Sequence, residues 1–313
     1  MLRAAVIGGG VVGCACAAAL ARRGHDVLLA EAEHALALWA SGTNSGILHT
    51  GFDSEPGALE TELILRSVAL RDRVNAPLLR CGALMRDAPE GYPQNGVEAV
   101  REGDDLFIPG EWVTDPVAFT HALAADARAH GARIELGRRV GDARELEADV
   151  VINAAGLGGG AFDGSFAVHP RKGEFFVFEA ELDRILLPAP TPRTKGILVL
   201  PTVVPGIVIA GPTAVDLDEP DWSVRAQARD EVLGKARRLL PELGEPIDSY
   251  AGLRPAGRDG ANYVIGWSPA VEGLLNVGAI RSTGLSASLG IGEHVADLVG
   301  AASRWWERAA RHR

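Results

Sequence analysis

Three glycines and one glutamate near the start of the chain have the spacing of a dinucleotide-binding turn. A short apolar run ends at Ile7, and Gly8, Gly10 and Gly13 follow it before an alanine-rich stretch that predicts a helix. The first glycine permits a sharp turn, the second lets the backbone approach a pyrophosphate, and the third lets the helix pack closely on the strand. Glu31 closes a second apolar run, where a carboxylate can accept hydrogen bonds from ribose hydroxyls. Strand, turn, helix, strand and acid occur in order, so this segment predicts a dinucleotide site.

Composition and charge favour a soluble acidic enzyme. The chain has 313 residues, of which 47% are apolar and 23% charged, and its formal net charge is −10. This length suggests about two domains, and the negative charge argues against a nucleic-acid partner. The three cysteines (Cys14, Cys16 and Cys81) are too few for a disulfide framework. We therefore expect them to be packing residues and expect no metal site.

Sequence features near both ends of the chain bear on its expected localisation. No signal peptide precedes the first strand, and glycines or charges interrupt every apolar run well short of a membrane span, so we expect a cytoplasmic protein without a transmembrane segment. Residues 296–313 predict a helix that packs Trp305 and Trp306 on the core. Peripheral contact of this helix with a membrane surface or a partner is the alternative.

The elements that must position these residues follow from hydrophobic spacing and turn signals. Residues 57–74 have apolar positions at helical spacing, and 87–111 read as a loop rich in glycine, proline and asparagine. Asp115 and Pro116 predict the start of a helix that runs to about His130. Two strands are expected after it, at Arg133–Leu136 and Asp149–Asn153.

The pattern changes in the second half of the chain. Residues 165–212 contain short β-rich segments separated by turns, 223–240 predict a helix, and 247–280 predict strands. A final helix is expected from about Gly284. A nucleotide-binding βαβ unit that is interrupted by an antiparallel block and then resumed predicts an α/β fold, α+β overall, in which two domains are built from discontinuous segments.

Three later stretches resemble the flavin-contacting segments of the D-amino-acid oxidase-like superfamily of FAD-dependent oxidoreductases. They are SGTNSGILHTGFD (41–53), VINAAG (151–156) and LLNVGAIRSTGLSAS (274–288). Within that superfamily the chain resembles most the branch of glycerol-3-phosphate dehydrogenases and oxidases and L-2-hydroxyglutarate dehydrogenases, through phrases such as PRKGEFFVFE, YAGLRP and IRSTGLSAS. The resemblance implies a Rossmann-type FAD-binding domain formed by 1–52, 115–164 and 262–313, and an antiparallel β-rich substrate domain formed by 53–114 and 165–261.

The same resemblance implies a set of residues around FAD. Helix-start amides would face the edge of the flavin on which negative charge develops during reduction. The implied cofactor-binding residues are Gly8, Gly10, Gly13, Glu31, Ser41, Thr43, Asn44, Ser45, Val140, Ala154, Gly156, Gly278, Gly284, Leu285 and Ser286.

The resemblance also implies a reaction. His49 would be the base that takes the hydroxyl proton of a small anionic substrate while hydride moves to flavin N5 and a ketone forms. Arg254 and Lys195 would bind the substrate carboxylate or phosphate, with Arg258 and Ser282 as weaker contributors. The electron acceptor stays open among oxygen, a quinone and another protein.

Two alternatives to this function remain at the level of the sequence. One is an FAD-dependent amine or amino-acid oxidase of the same superfamily, which needs less of a base. The other is a non-catalytic FAD-binding partner subunit.

Overall fold

A mainly parallel sheet is built from the apolar runs around the glycine-rich turn. The structure is a computed structural model that describes residues 1–190 and 196–311, with side chains through residue 302. Over these residues six strands form the sheet: β1 (Arg3–Ile7), β2 (Asp26–Ala30), β9 (Arg133–Glu135), β10 (Val150–Asn153), β17 (Val264–Trp267) and β18 (Leu274–Gly278). Their order across the sheet is β17-β18-β10-β1-β2-β9, and only β17, at the edge, runs antiparallel to its neighbour.

The first helix packs on this sheet through small residues. Helix α1 (Val11–Arg22) buries nearly every residue of its Gly, Ala and Cys-rich sequence. A Cβ atom built at Gly13 would overlap the carbonyl oxygen of Gly8, so only glycine allows the helix to begin this close to the turn. Cys14 and Cys16 are buried packing residues, and burial raises the pKa of the Cys14 thiol to about 12.

The predicted capping signal begins helix α3 (Pro116–Ala129). Asp115 Oδ1 accepts hydrogen bonds from the amides of Val117 and Ala118, at 2.8 and 2.9 Å, and Pro116 occupies the first helical position. Phe119 and Leu123 bury one face of α3 in the core that α1 also joins. The helix predicted from Asp115 and Pro116 is therefore confirmed.

A second, largely antiparallel sheet forms in the β-rich part of the chain. Its longest strand, β11 (Val168–Glu179), pairs with three others, including β16 (Asp248–Gly257) over ten residue pairs. Helix α4 (Ala226–Leu239) packs on one face of this second sheet through Ala228, Val232 and Leu233. The predicted mixed α/β fold with an antiparallel β-rich part is confirmed. Besides β11 and β16, the described strands of this sheet are β5 (Ala83–Met85), β6 (Val100–Glu102), β7 (Asp105–Ile108), β12 (Ile185–Leu187), β13 (Leu198–Pro201), β14 (Ile207–Gly211) and β15 (Val215–Asp216).

The segment 87–111 is not the loop that its composition predicts. It contains the antiparallel hairpin of β6 and β7, and β7 extends the second sheet by pairing with β5. Only Leu106 and Ile108 of this hairpin are buried, while all three residues of β6 are exposed. Strand β6 is exposed throughout at the sheet edge, and the apolar Phe107 between Leu106 and Ile108 hides the alternating burial of β7 in the sequence.

A small three-stranded sheet brings distant segments together. Strand β3 (Ile47–Leu48) pairs antiparallel with β8 (Trp112–Thr114), which pairs in turn with β4 (Leu78–Leu79). Leu48 is paired with Trp112, so the residue that follows β3 faces the residue that precedes β8. These two residues are His49 and Glu111.

Two helices complete the layer that covers the parallel sheet. Helix α2 (Leu59–Val68) lies against α5 (Gly284–Arg311), and Ser67 Oγ accepts a hydrogen bond from the Gly290 amide at 2.8 Å. The predicted final helix thus begins at Gly284, while the side chains of Trp305 and Trp306 lie outside the described part of the structure. Four short 3-10 turns are also described, at Arg71–Arg73, Ala143–Glu145, Gly156–Ala161 and Arg258–Gly260.

The strands divide along the chain in a simple way. The parallel sheet draws its strands from 1–52, 115–164 and 262–313, and the second sheet draws its strands from 53–114 and 165–261. The three-stranded sheet takes strands from both sets. The division into two domains stays a prediction. In the described ranges, no helix combines the length and the apolar character that a bilayer crossing requires.

Two glycine-to-alanine substitutions should have opposite effects on stability. We expect Gly13→Ala to lower the urea midpoint strongly, because its Cβ would meet the Gly8 carbonyl and force α1 away from β1. Gly234 lies exposed in α4, where an added Cβ would have no neighbour within 4 Å, so Gly234→Ala should raise stability by roughly 0.4–1 kcal/mol. Urea unfolding followed by circular dichroism measures both, and equal midpoints for the two variants would contradict this account of α1.

Candidate active site

An elongated cavity opens where the strand order of the parallel sheet reverses. Along the chain the parallel strands run β1, β2, β9, β10, β18, and β10 and β2 lie on opposite sides of β1. Ligands of such sheets bind in the crevice at the carboxyl ends of the strands at this reversal. The cavity has a volume of about 610 Å³, within the range of small-molecule sites. Its walls include Ile7 at the end of β1 and Ala154 just after β10.

The glycine-rich turn forms one wall of the cavity. Gly8 has a φ of +106°, and a Cβ there would lie 2.5 Å from the Ala154 carbonyl oxygen, so no other residue fits between the two strand ends. The first amide of α1, on Val11, donates to Ser41 Oγ at 2.9 Å. Ser41 also packs against Gly10, where an added Cβ atom would lie 3.0 Å from the Ser41 hydroxyl. The cavity therefore borders bare backbone and the positive end of α1.

Glu31 holds its carboxylate at the edge of the same cavity. Its Oε2 accepts a hydrogen bond from the Gly9 amide at 2.5 Å, and its Oε1 accepts one from the Glu33 amide at 2.8 Å. The side chain is buried and lines the cavity. Each carboxylate oxygen keeps a second lone pair, so these two bonds orient Glu31 and leave acceptors for hydroxyl groups.

Most of the other predicted cofactor residues also lie on the cavity wall. Asn44, Val140, Ala154, Gly156, Gly278, Gly284 and Leu285 line it together with Gly8, Gly10, Glu31 and Ser41. Gly13, Thr43, Ser45 and Ser286 do not: Gly13 packs on the turn, and Thr43 Oγ1 donates to the Trp39 carbonyl at 3.1 Å. The part of each residue in cofactor binding stays a prediction.

Ser286 connects the first turn of α5 to the segment that carries His49. Its hydroxyl donates to the Ile47 carbonyl at 3.0 Å and accepts from the His49 amide at 2.9 Å. The preceding residues Gly284 and Leu285 line the cavity. Ser286 therefore fixes the backbone of His49 beside the helix start.

Arg254 lies on the part of the cavity wall that the second sheet supplies. Its Nε donates to the Arg171 carbonyl at 3.1 Å, and its Nη2 donates to the carbonyls of Lys172 and Thr213 at 2.9 and 2.8 Å. Burial lowers the pKa of Arg254 to about 10, and the charge of Arg171 acts in the same direction. The group is still a cation at neutral pH. Three backbone carbonyls hold its orientation, and Nη1 makes none of these bonds.

The other predicted anion-binding residues are placed differently. Ser282 lines the cavity beside Arg281. Arg258 is exposed, lies off the cavity wall, and approaches Asp218 only to 3.9 Å. Lys195 lies outside the described residues.

His49 is paired with a buried carboxylate. Its Nδ1 lies 2.8 Å from Oε2 of Glu111, whose side chain has no exposed surface, whereas that of His49 is 21% exposed. Glu111 Oε1 accepts from both the amide and the hydroxyl of Thr50, at 2.6 and 2.7 Å. His49 does not line the cavity, and its amide is bound to Ser286, the residue that follows Gly284 and Leu285 of the cavity wall.

Arg71 holds the two backbone segments that carry His49 and Glu111. Its Nη1 donates to the Leu48 carbonyl at 2.8 Å and its Nη2 to the Gly110 carbonyl at 2.7 Å. Its guanidinium lies 4.1 Å from the centre of the Trp112 ring. Burial lowers the pKa of Arg71, and the negative charge of Glu111 opposes that shift.

Sequence reasoning did not identify Glu111, Arg71 or a tryptophan pair at the cavity. A single acid between apolar residues in FIPGEWVT was the available signal for Glu111.

Trp39 and Trp222 line the cavity with ring centres 4.9 Å apart. They join segments 183 positions apart in the sequence, which no local pattern reveals. The Trp222 segment is held by Lys172 Nζ, which donates to Asp221 Oδ2 at 2.5 Å and to the Ser223 carbonyl at 2.8 Å.

The residues present fit the cofactor that the sequence implies. A dinucleotide needs close backbone approach, helix-start amides and a ribose acceptor, which are supplied by Gly8, the first turn of α1 and Glu31. The start of α5 at Gly284 faces the same cavity from beyond β18. In the described ranges, no three His, Cys, Asp or Glu side chains lie close enough to hold a metal ion.

Comparison with known proteins agrees with this geometry. The family model for DAO, FAD dependent oxidoreductase, matches residues 3–87 and 83–298. The chain is 27% identical to glycerol 3-phosphate dehydrogenase of Caloramator mitchellensis over 96% of its own length and 74% of the relative. The superfamily predicted from the sequence is thereby confirmed, as is an oxidoreductase activity.

Solved structures show the same fold. Dithionite-reduced L-α-glycerophosphate oxidase from Mycoplasma pneumoniae with FAD bound is 22% identical and superimposes with a TM-score of 0.84, over 96% of this chain and 94% of that one. Glycine oxidase from Bacillus cereus is 21% identical with a TM-score of 0.80, over 96% of each chain. The glycine-rich turn, the cavity at the strand reversal and the family match over nearly the whole chain lead to one conclusion: this protein belongs to the DAO family of FAD-dependent oxidoreductases, and its cofactor is FAD.

Proposed function

We propose that this protein oxidises a small anionic alcohol, of the glycerol-3-phosphate or 2-hydroxy-acid type, to the corresponding ketone. The observation that carries the proposal is the hydrogen-bonded pair of His49 and Glu111, held against the first turn of α5. An alcohol must lose its hydroxyl proton as its carbon loses hydride, so this reaction needs a base. A histidine oriented by a carboxylate is suited to that task at neutral pH.

The second requirement is recognition of the negative charge. Arg254 supports it because its guanidinium is a rigid cation on the cavity wall. Three backbone carbonyls orient this group before any substrate binds, so little side-chain entropy is lost on binding. Ser282 lines the same cavity and can donate a hydrogen bond, and Lys195 is proposed as a second cation.

The proposed division of labour is simple. FAD supplies the hydride acceptor when bound. Arg254 holds the substrate anion, and His49 receives the hydroxyl proton. The substrate loses a hydride from its carbon and a proton from its oxygen, and it leaves as a ketone. The amides that begin α1 and α5 supply positive potential along the cavity.

The relatives support an alcohol substrate without excluding an amine. The similar glycerol 3-phosphate dehydrogenase is named for an anionic alcohol, whereas glycine oxidase has the same fold and is named for an amino acid. The fold therefore does not distinguish the two substrate classes. His49 and Glu111 favour the alcohol, because a neutral amine does not require removal of a hydroxyl proton.

Anaerobic reduction of the purified holoenzyme tests the proposal. Glycerol 3-phosphate or L-2-hydroxyglutarate should bleach the flavin absorbance, whereas glycerol, glycine and D-alanine should not. Bleaching by the amino acids alone would contradict the proposed alcohol substrate and favour an amino-acid oxidase. No bleaching by any of these compounds would also contradict it. Oxygen uptake compared with dye or quinone reduction then identifies the electron acceptor.

Removal of the base should abolish reduction and spare the cofactor. His49→Asn retains a polar side chain of similar reach but cannot accept a proton at neutral pH, so we expect the rate constant of flavin reduction to fall roughly 10²- to 10⁴-fold. The flavin content per protein should stay unchanged. His121→Asn, at an exposed position of α3, is the matched control and should reduce at the normal rate. Full activity of His49→Asn would exclude His49 as the base.

Substitution of Arg254 should weaken substrate binding. Arg254→Lys keeps the charge but loses the planar fork and most of its carbonyl bonds, so we expect the dissociation constant for the anionic substrate to rise roughly 10- to 100-fold. Stopped-flow reduction over a range of substrate concentrations measures this constant. Arg238→Lys, exposed on α4, serves as the control. An unchanged dissociation constant in Arg254→Lys would show that the anion binds elsewhere.

A further inference from the structure

We propose that Glu111 is a positioning residue that holds the proton of neutral His49 on Nδ1 and so directs the basic lone pair to Nε2. The proposal deepens the proposed function and rests on His49 as its base. The sequence pattern did not point to Glu111. The proposal depends on which atoms of Glu111 face donors and which atom faces the imidazole.

The two oxygens of Glu111 have different partners. Oε1 receives both the amide and the hydroxyl hydrogen of Thr50, at 2.6 and 2.7 Å. Oε2 faces Nδ1 of His49 at 2.8 Å. An ionised carboxylate is only an acceptor, so the hydrogen between Oε2 and Nδ1 belongs to the imidazole. In a neutral imidazole the other nitrogen, Nε2, then carries the lone pair.

The surroundings keep this arrangement rigid. Glu111 has no exposed surface, so water does not compete for its oxygens. Arg71 donates to the carbonyls of Leu48 and Gly110, the residues immediately before His49 and Glu111, and its positive charge balances the buried carboxylate. A Cβ at Gly110 would lie 2.7 Å from Thr50 Cγ2, so the Thr50 methyl group packs directly on the Gly110 backbone.

Two charged groups near the imidazole lie in the described part of the chain. Glu111 precedes β8, and Arg71 lies in the short turn after α2. On the α5 side the group that contacts the His49 backbone is the neutral hydroxyl of Ser286. The carboxylate at Nδ1 stabilises a positive charge on the ring after the ring receives a proton.

This geometry makes Glu111→Gln an unusually sharp test. The Thr50 amide can only donate, so the carbonyl oxygen of the new glutamine must take the place of Oε1, and its NH₂ group must take the place of Oε2. That NH₂ group then donates to Nδ1 of His49. The imidazole is forced into the opposite tautomer, with hydrogen on Nε2, where it cannot accept the substrate proton.

The experiment uses holoenzyme labelled with ¹⁵N-histidine. Spectra are recorded at about pH 8.5, above the ordinary histidine pKa, and the His49 signals are assigned by their loss in His49→Asn. Wild type should show a protonated Nδ1 and an unprotonated Nε2, and Glu111→Gln should show the reverse. Flavin reduction in Glu111→Gln should slow roughly 10²- to 10⁴-fold, as expected for a wrong tautomer, with the substrate dissociation constant changed less than about threefold.

The controls separate this proposal from a structural role and from the proposed function. Glu242→Gln, an exposed change of the same kind, should alter neither the tautomer nor the rate. A wild-type His49 with its proton on Nε2 would overturn the proposal, and this measurement does not require Glu111→Gln to fold. An unchanged tautomer and rate in Glu111→Gln would overturn it as well. Full activity of His49→Asn would instead remove the base from the proposed function, while the wild-type spectrum would still report the tautomer.

Discussion

The structure depends on the close approach of three backbone segments at one point. The end of β1, the end of β10 and the start of α1 meet around Gly8 and Gly13, where no Cβ atom could be placed without overlap. This contact fixes the direction of α1 relative to the sheet, and with it the direction of the amides in its first turn. It also opens the crevice at the strand reversal. One wall of the cavity is therefore a consequence of how β1, α1 and the end of β10 pack.

The wall of the cavity that carries Arg254 depends on charge and hydrogen bonding in the second sheet. Arg254 on β16 reaches across to carbonyls of the neighbouring β11, so the strand pairing itself presents the guanidinium. Nearby, Glu174 is fully buried and is satisfied by Thr213 and Arg225. A Cβ at Gly173 would lie 2.9 Å from Arg254 Nη2, which leaves room for glycine only. Hydrogen bonds and ion pairs thus hold this wall in position, whereas apolar packing holds α1 on the parallel sheet.

Local sequence signals predicted the elements whose causes are local. The turn at Gly8 to Gly13, the cap at Asp115 and the start of α5 at Gly284 each depend on neighbouring residues, and each was found. The hairpin within 87–111 was missed because β6 is exposed throughout and because the apolar Phe107 hides the alternating burial of β7. Glu111 and Arg71 were missed because they come close to His49 only when β3 pairs with β8. Arg254 and Arg258 lie close together in the sequence, and the fold places Arg254 on the cavity wall and leaves Arg258 exposed.

The pairing of β3 with β8 has a consequence for how sequences of this type can change. His49 and Glu111 meet only because Leu48 is opposite Trp112, and a shift of one residue would turn these side chains to opposite faces. Insertions or deletions next to either strand would therefore separate the pair. Strand β6 lies at the edge of the other sheet with all three residues exposed, so its register bears less on this pair. The two short strands beside the imidazole must therefore keep their register.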